Sequence, residues 1–489
     1  MSDAPTSAGC CGSSSTSLQE SSPEGTGARG AADLPVVVIG AGPVGLAAAA
    51  HLAERGLPFL VLEAGAQVGA SIGEWGHVRL FSPWRYDIDP AARRLLEAAG
   101  WAAPDPGLLP TGAELIAGYL SPLAASPQLE PQLRVGVRVE AITRAGYDRL
   151  RTTGRDQAPF LLRVRDAGGQ VEEVRARAVI DASGTWTTPN VLGATGLPAY
   201  GETEAAAWIT APLPDVLGAD RKRFAGRHTL VAGAGHSAAT TLLALADLAD
   251  AEPGTRITWA LRGAGASRTY GGGDADQLPA RGALGSRLRR HVEAGRIDLV
   301  TGFFTHTVRP LAETPQFGGI EVTGHSPDGT ERTLVVDQVV AATGFRPDHT
   351  LTGELRLHLD PIMGTTPALA PLIDPNEHSC GTVPPHGEAE LAHPETGYYA
   401  IGVKSYGRAP TFLLATGYEQ ARSVVAALAG DWDAARRVEL ELPETGVCSA
   451  NLNPAPAGEK SGFATGISGG LPAQPLLVTT SQSSGGCCS

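Results

Sequence analysis

Basic residues are in short supply. Lys and Arg number 38 against 51 Asp and Glu, a net charge of −13. That balance argues against nucleic acid or an anionic membrane surface as the main partner, because both reward a basic face. There is no run of five like charges and no basic helix. Cysteine is sparse too. The six, Cys10, Cys11, Cys380, Cys448, Cys487 and Cys488, contain no C-x-x-C pair. They are too few for a disulfide scaffold and suit a reducing, cytoplasmic setting. The first 33 residues lack a basic n-region and an apolar h-region, so no signal peptide is expected. Residues 442–446 spell LPETG, the wall-anchoring signal, but the Gly/Pro/Ser-rich stretch after them could not span a bilayer. The match is read as coincidence.

What is present suits a multi-domain globular chain. At roughly 150 residues per domain, 489 residues suggest about three units. Apolar content is an ordinary 42%. Residues 1–33 and 449–489 are rich in small and polar residues, without period, and are expected to be disordered tails. The body is about 34–448.

Two strand–glycine–helix units recur within it. The first, "VVVIGAGPVGLAAAAHLAERGLPFLVLEAG" (36–65), is apolar enough to raise the question of a membrane span. Gly40, Gly42, Pro43 and Gly45 interrupt it where a buried strand would end and a helix begin. Gly40 permits the tight turn, Gly42 lets backbone approach a pyrophosphate, and Gly45 lets helix pack on strand. The helix N-terminus offers free N–H groups to phosphate. Glu63 ends the next strand, where a carboxylate can accept from a ribose diol. Strand, triplet, helix, strand and acid in that order predict a dinucleotide site. The second unit, "HTLVAGAGHSAATTLLALADLA" (228–249), carries Gly233, Gly235 and Ala238, with Ser237 at the helix start. Its next strand ends at Arg262, with Arg268 nearby, and a guanidinium there suits a 2′-phosphate. Two units imply two dinucleotides: FAD on the first, NADPH on the second. Between and after them, strand-like alternation is read at 133–145, 160–166, 171–184, 256–263 and 318–344. Helical periodicity is read near 284–294 and at 409–430.

The body resembles the two-dinucleotide flavoproteins that include flavin-containing monooxygenases and thioredoxin reductases. "IDASGTW" (180–186), with Gly184, and "VVAATGFRPD" (339–348), with Thr343 and Gly344, resemble the segments at which such chains return to FAD. "GYYAIGVKSYGRAP" (397–410) stands where the family has a Gly-Asp pair on FAD; here Gly402 is followed by Val403, with Lys404 or Arg408 as substitutes. The resemblance runs "GASIGEWGHVRLFSPWRYDID" (69–89) along the FAD, with Ser71, Trp75, Arg79 and Trp84 as candidates. It implies an α/β fold of two Rossmann-like domains. The NADPH domain (219–337) is inserted in a discontinuous FAD domain (34–218 and 338–448). The body lacks the flavin-side cysteine pair of disulfide reductases. It also lacks the F-x-G-x-x-x-H linker of flavin-containing monooxygenases, having "PNVLGATGLPAYGETEAAAWI" (189–209) instead. The chain more closely resembles monooxygenase-like bacterial flavoproteins, some of them encoded with arsenic-resistance genes.

The flavin would carry the reaction, so no general base is obligatory. The leading expectation is an enzyme that passes hydride from NADPH to FAD and works as a monooxygenase, through a flavin C4a-peroxide, on a small molecule. Two alternatives stay open. One is an NADPH-dependent reductase of a thiol or metalloid, with Cys380 at the substrate site in the loop holding His378 and His386. The other is a non-enzymatic protein whose tail thiols, Cys10, Cys11, Cys487 and Cys488, bind a thiophilic metalloid. A homodimer is an allowed assembly.

Overall fold

The computed structural model describes residues 33–271, 278–316, 318–378 and 383–440, all within the unit Met1–Ala450. Its architecture is α/β, with two Rossmann-like parallel sheets, as the sequence predicts.

The first described strand is β1 (Val36–Ile39), whose four residues are all buried. An all-apolar strand of this kind is stable only with cover on both faces, the signature of a parallel sheet interior. Helix α1 (Pro43–Glu54) follows, with proline in its first turn and Gly42 as N-cap. Residues Leu46 to Ala50 are wholly inaccessible. Their short side chains let α1 lie close between the sheet and the late helix described below. β2 (Phe59–Leu62) pairs parallel to β1, and β3 (Leu133–Arg134) to β2. β4 (Val137–Arg144), β5 (Phe160–Asp166) and β6 (Val171–Ala176) form an antiparallel sheet. β7 (Ala178–Asp181) then returns to β1. The stretch read as one at 171–184 is thus two strands, joined at Arg177.

The same plan repeats. After β8 (Ile209–Thr210) come β9 (His228–Ala232), α2 (His236–Ala251) and β10 (Arg256–Ala260). Then follow α3 (Pro279–Glu293) and β11 (Asp298–Val300). β12 (Phe304–Pro310), β13 (Ile320–His325) and β14 (Glu331–Val336) make a second antiparallel sheet. β15 (Gln338–Ala341) returns to β9. β16 (Tyr398–Ala400) rejoins β7, and α4 (Leu414–Leu428) packs on α1. The two parallel sheets have the orders β16-β7-β1-β2-β3 and β11-β10-β9-β15-β8.

Buried charge ties the first antiparallel sheet to the returning chain. Glu395 accepts from Arg144 Nε at 2.8 Å, from Arg155 Nη1 at 2.7 and 2.8 Å, and from the Arg356 N–H at 2.8 Å. Among the described residues no helix is long and apolar enough to cross a membrane.

Candidate functional site

Ligands of open parallel sheets bind outside the carboxyl ends of the strands. Both glycine turns lie there, and they share one geometry. Gly40 has φ +97°, and a Cβ on it would stand 2.7 Å from the Ala182 carbonyl oxygen. Gly233 has φ +136°, and a Cβ there would stand 1.9 Å from the Ala342 oxygen. In each case the opposing residue follows the third strand of the βαβ unit, β7 or β15. A Cβ on Gly45 would meet the Gly40 oxygen at 2.0 Å, so glycine there is what allows α1 to sit so near the strand. Gly42 and Gly235 differ from these: a Cβ on either would meet nothing within 4 Å. Each is the N-cap of its helix without a side-chain cap. The backbone there is open to a ligand phosphate, and the helix dipole favours one.

The turns are braced from behind. Glu63 accepts the N–H of Ala41 at 2.6 Å on one carboxylate oxygen and that of Gly65 at 2.7 Å on the other. It thus stands at the first turn, half-buried, with lone pairs to spare. In the second unit the Trp259 indole donates to the Gly233 carbonyl at 2.8 Å, and the Thr269 hydroxyl to Ala234 at 2.9 Å. Ser237 is the second residue of α2 and is half-buried. Arg262 follows β10 by two residues, is exposed, and gives one N–H to the Ala194 carbonyl at 3.1 Å. Arg268 reaches the Pro375 carbonyl at 3.2 Å.

Beside the first turn lies a buried ion pair that sequence reasoning missed. Lys404 Nζ donates to Asp181 Oδ2 at 2.7 Å and to Ser183 Oγ at 3.0 Å. Tyr398 donates to the same Asp181 oxygen at 3.0 Å. Ser183 donates its hydroxyl to Oδ1 at 2.7 Å and its N–H at 3.1 Å. Burial pushes the Asp181 carboxyl up, but the Lys404 charge and the hydrogen bonds of Lys404 and Ser183 outweigh it, holding the group below the usual carboxylate range. Lys404 was read as standing in for an acid at the flavin; its ammonium is spent instead on the segment that backs Gly40. Gly184 follows with φ +72°. Gly402, at φ +71°, donates its N–H to Gln420 at 2.7 Å, and Gln420 donates to His386 Nε2 at 2.9 Å. His386 Nδ1 in turn reaches the Pro384 carbonyl at 2.9 Å, which assigns the proton to Nδ1. Burial keeps this ring below the ordinary imidazole range. His386 is therefore a neutral strut of the returning chain.

The two linkers between the parallel sheets cross at Asn190. Its N–H donates to the Gly344 carbonyl at 2.8 Å and its side-chain amide to the Thr343 carbonyl at 3.1 Å. Its own carbonyl accepts from the Thr343 hydroxyl at 2.7 Å, and its Oδ1 from Arg346 Nε at 3.0 Å. Trp75 and Trp186 are 6.4 Å apart between ring centres, and Trp186 and Phe345 4.8 Å. Trp186 follows β7 and Phe345 follows β15, so the carboxyl edges of the two sheets meet at this contact. Phe81 stands 5.1 Å from His236, at the start of α2. Ser71 is half-buried in the turn Ala70–Gly73. Arg79 points elsewhere: it donates to the Leu109 carbonyl, lies 3.6 Å from Glu114, and with Trp84 and Leu108 lines a groove of about 780 Å³. That groove is built on the stretch 107–118, a loop running into a helix, rather than on either glycine turn.

Cys10, Cys11, Cys380, Cys448, Cys487 and Cys488 lie outside the described residues. Among the described residues no three His, Cys, Asp or Glu side chains gather to hold a metal.

Residues 35–103 match the family model described as FAD dependent oxidoreductase. No curated protein matches the chain in sequence. Among solved structures, the chain is similar to the bacillithiol disulfide reductase of Bacillus cereus, with 19% identity and a TM-score of 0.59 over 81% of this chain and 99% of that one. It is similar to the desferrioxamine-pathway cadaverine monooxygenase of Erwinia amylovora, bound to FAD, with 16% identity and a TM-score of 0.57 over 84% and 97%. Thioredoxin reductase of T. acidophilum shares 15% identity and a TM-score of 0.50 over 81% and 98%. The fold is thus that of the two-dinucleotide-binding flavoproteins. Its first βαβ unit carries the sequence signature of FAD dependent oxidoreductases.

Proposed function

We propose that the chain is an oxidoreductase that holds FAD at the first turn, takes hydride from NADPH at the second, and acts as a monooxygenase on a small molecule. The observation that carries the reading is the matched pair of open backbone cradles at Gly42 and Gly235, each heading an uncapped helix and each backed by a jammed glycine. The flavin, when bound, supplies the redox chemistry. The chain's own residues do the rest. Gly42 and the start of α1 receive the FAD pyrophosphate. Glu63, fixed by two backbone N–H groups, faces the ribose. Gly235, Ser237 and the start of α2 receive the second pyrophosphate. Arg262, with guanidinium donors beyond the one given to Ala194, pairs with a 2′-phosphate. The Asn190 crossing and the Trp186–Phe345 contact bring the two carboxyl edges together, and the reactive ends of the two dinucleotides would meet at this junction. Ser71, Trp75, Gly184, Thr343, Gly344 and Gly402 would border the flavin there.

The test begins with FAD titrated into purified chain, followed by anaerobic mixing with NADPH and admission of ¹⁸O₂ with a panel of oxidisable amines, sulfides and ketones. Retained flavin, rapid bleaching by NADPH rather than NADH, and label in the product are expected. A chain that retains no FAD overturns the whole reading. Flavin that is bleached and reoxidised with no label transferred, while disulfides or arsenicals are turned over, replaces the monooxygenase by a reductase.

A further inference from the structure

The two antiparallel sheets repeat one irregularity. In β4 the register shifts between Val139 and Ala141, leaving Glu140 as the extra residue of a bulge. In β12 it shifts between Thr305 and Thr307, leaving His306 as the extra residue. A bulge bends the strand and re-aims the unpaired side chain. On the neighbouring strand the corresponding positions are Arg165, opposite Arg138, and His325, opposite Phe304. In the first sheet the bulged side chain meets a complement: Arg165 grips Glu140 through both carboxylate oxygens. In the second sheet the same slot holds His306 against His325, ring centres 5.0 Å apart.

Two imidazoles have no opposite charges with which to hold each other as a carboxylate and a guanidinium do. A cation placed between them would hold both. Two imidazoles sharing one ion, each at a metal–nitrogen distance of about 2.0–2.1 Å with a tetrahedral angle between them, hold their ring centres about 5 Å apart. The observed separation has that value. His306 is exposed and His325 half-buried, so an ion can reach them and keep water in its remaining positions. Tyr200 packs edge-on to His306 at 5.1 Å and steadies that ring. The net charge of −13 favours accumulation of divalent cations.

We propose that His306 and His325 form a surface site for a borderline transition-metal dication, zinc or copper(II), in the slot that the sister sheet fills with an ion pair. The site is separate from both glycine turns and does not depend on the chain's being a flavoprotein.

The experiment is calorimetric titration of zinc chloride into the untagged full-length chain. It is repeated on His306→Ala, on His325→Ala, and on the double variant His306→Glu/His325→Arg, which installs the Glu140–Arg165 pairing of the sister sheet. All cysteines stay in place, so thiolate binding is common to every sample. Each variant is expected to take up one equivalent of zinc fewer than the parent, or to bind it at least tenfold more weakly. Zinc should raise the parent's Tm and leave that of the double variant behind. The double variant should keep the parent's melting curve without zinc, which separates loss of the ion from loss of the fold. Equal stoichiometry and affinity in parent and variants would overturn the proposal.

Discussion

Lys404→Met removes the charge that Asp181 depends on while keeping an unbranched side chain of similar length. Both partners are shut away from solvent, with 1% of the Lys404 side chain and none of Asp181 exposed. Deleting one member of a buried pair leaves the other charged and uncompensated, which costs about 3–5 kcal/mol. Tyr398 and Ser183 still donate to the carboxylate, so the lower end of that range is expected. For the some 400 described residues, an unfolding entropy of about 2.1 cal/mol/K per residue converts the loss to a Tm fall of about 4–6 °C. The pH dependence is the sharper readout. In the parent the folded Asp181 sits below its unfolded value, so its contribution is complete above about pH 4 and fades only as pH falls through the folded value. In the variant the Lys404 charge and hydrogen bond are gone, so burial, opposed only by the bonds from Ser183 and Tyr398, moves the carboxyl up from its value in the parent. Protonation then relieves the variant as pH falls. The Tm gap between parent and variant should therefore be widest at pH 8 and narrow at pH 5. Differential scanning calorimetry at the two values, without added cofactor, measures it. A gap below about 1 kcal/mol, the size of a surface pair, or one that does not change with pH, would refute the assignment of this pair as a buried charge couple.

The glycines of the first turn separate binding from folding. Gly42→Val adds a side chain to open space, so stability should move by no more than about 0.5 kcal/mol, while FAD retention falls at least tenfold by fluorescence titration. Gly45→Ala forces a Cβ to within 2.0 Å of the Gly40 oxygen and should lower the Tm itself, by a cost of about 1–3 kcal/mol or more. Asp87 gives a third test. Burial lifts its carboxyl to about 7 against the pull of Ser82, and its Oδ2 has no hydrogen-bond partner in the structure. A folded value above the unfolded one contributes stability only at low pH and loses it progressively between about pH 4 and 7. Asp87→Asn should therefore raise the Tm at pH 8, by an amount on the order of 2–4 kcal/mol, and do much less at pH 5.

What could be read from the sequence was what is local. Both glycine turns announce themselves because a tight turn, a close approach and a helix start fall within a few consecutive residues. The antiparallel strands at 160–166 and 320–325 show as alternation because one face of each is covered. The break at Arg177 was hidden because an exposed alternating strand, β6, runs into a wholly buried one, β7, with a single residue between. β3 and β16 are too short to show any period. The bracing residues were invisible for another reason. Lys404 and Asp181 are 223 positions apart, and Asn190 and Thr343 are 153 apart. Only the fold brings them together. His386 shows the reverse: its loop, with Cys380 and His378, reads as a candidate substrate site, yet its ring is committed to Gln420 and Pro384. Arg79 likewise follows the run along the FAD in sequence and turns to Leu109 in space.

The two halves of the chain invite a last comparison, since they solve one problem twice. In each, an alanine carbonyl after the third strand presses on the first glycine, a glycine with positive φ follows, and an aromatic ring closes the segment. They differ in what holds that segment in place. Behind Ala182 stands a buried ion pair, Lys404–Asp181, anchored from the returning chain. Behind Ala342 stand hydrogen bonds to and from Asn190, part of a linker, with no buried ion pair among them. A buried ion pair resists displacement because separating it exposes an unpaired charge. Single hydrogen bonds to a linker can be broken and remade at about 1 kcal/mol apiece. On the proposed function, the first cradle is thus built to keep its shape throughout, as a permanently held FAD would require. On the same reading the second is built to yield, as an NADPH that enters and leaves in each cycle would require. On this argument, exchanging the roles should exchange the behaviours. Lys404→Met should speed FAD loss and leave NADPH affinity nearly unchanged, whereas Asn190→Ala should alter NADPH affinity with FAD retained. If both variants lost FAD alike, the division of labour between the two halves would have to be abandoned.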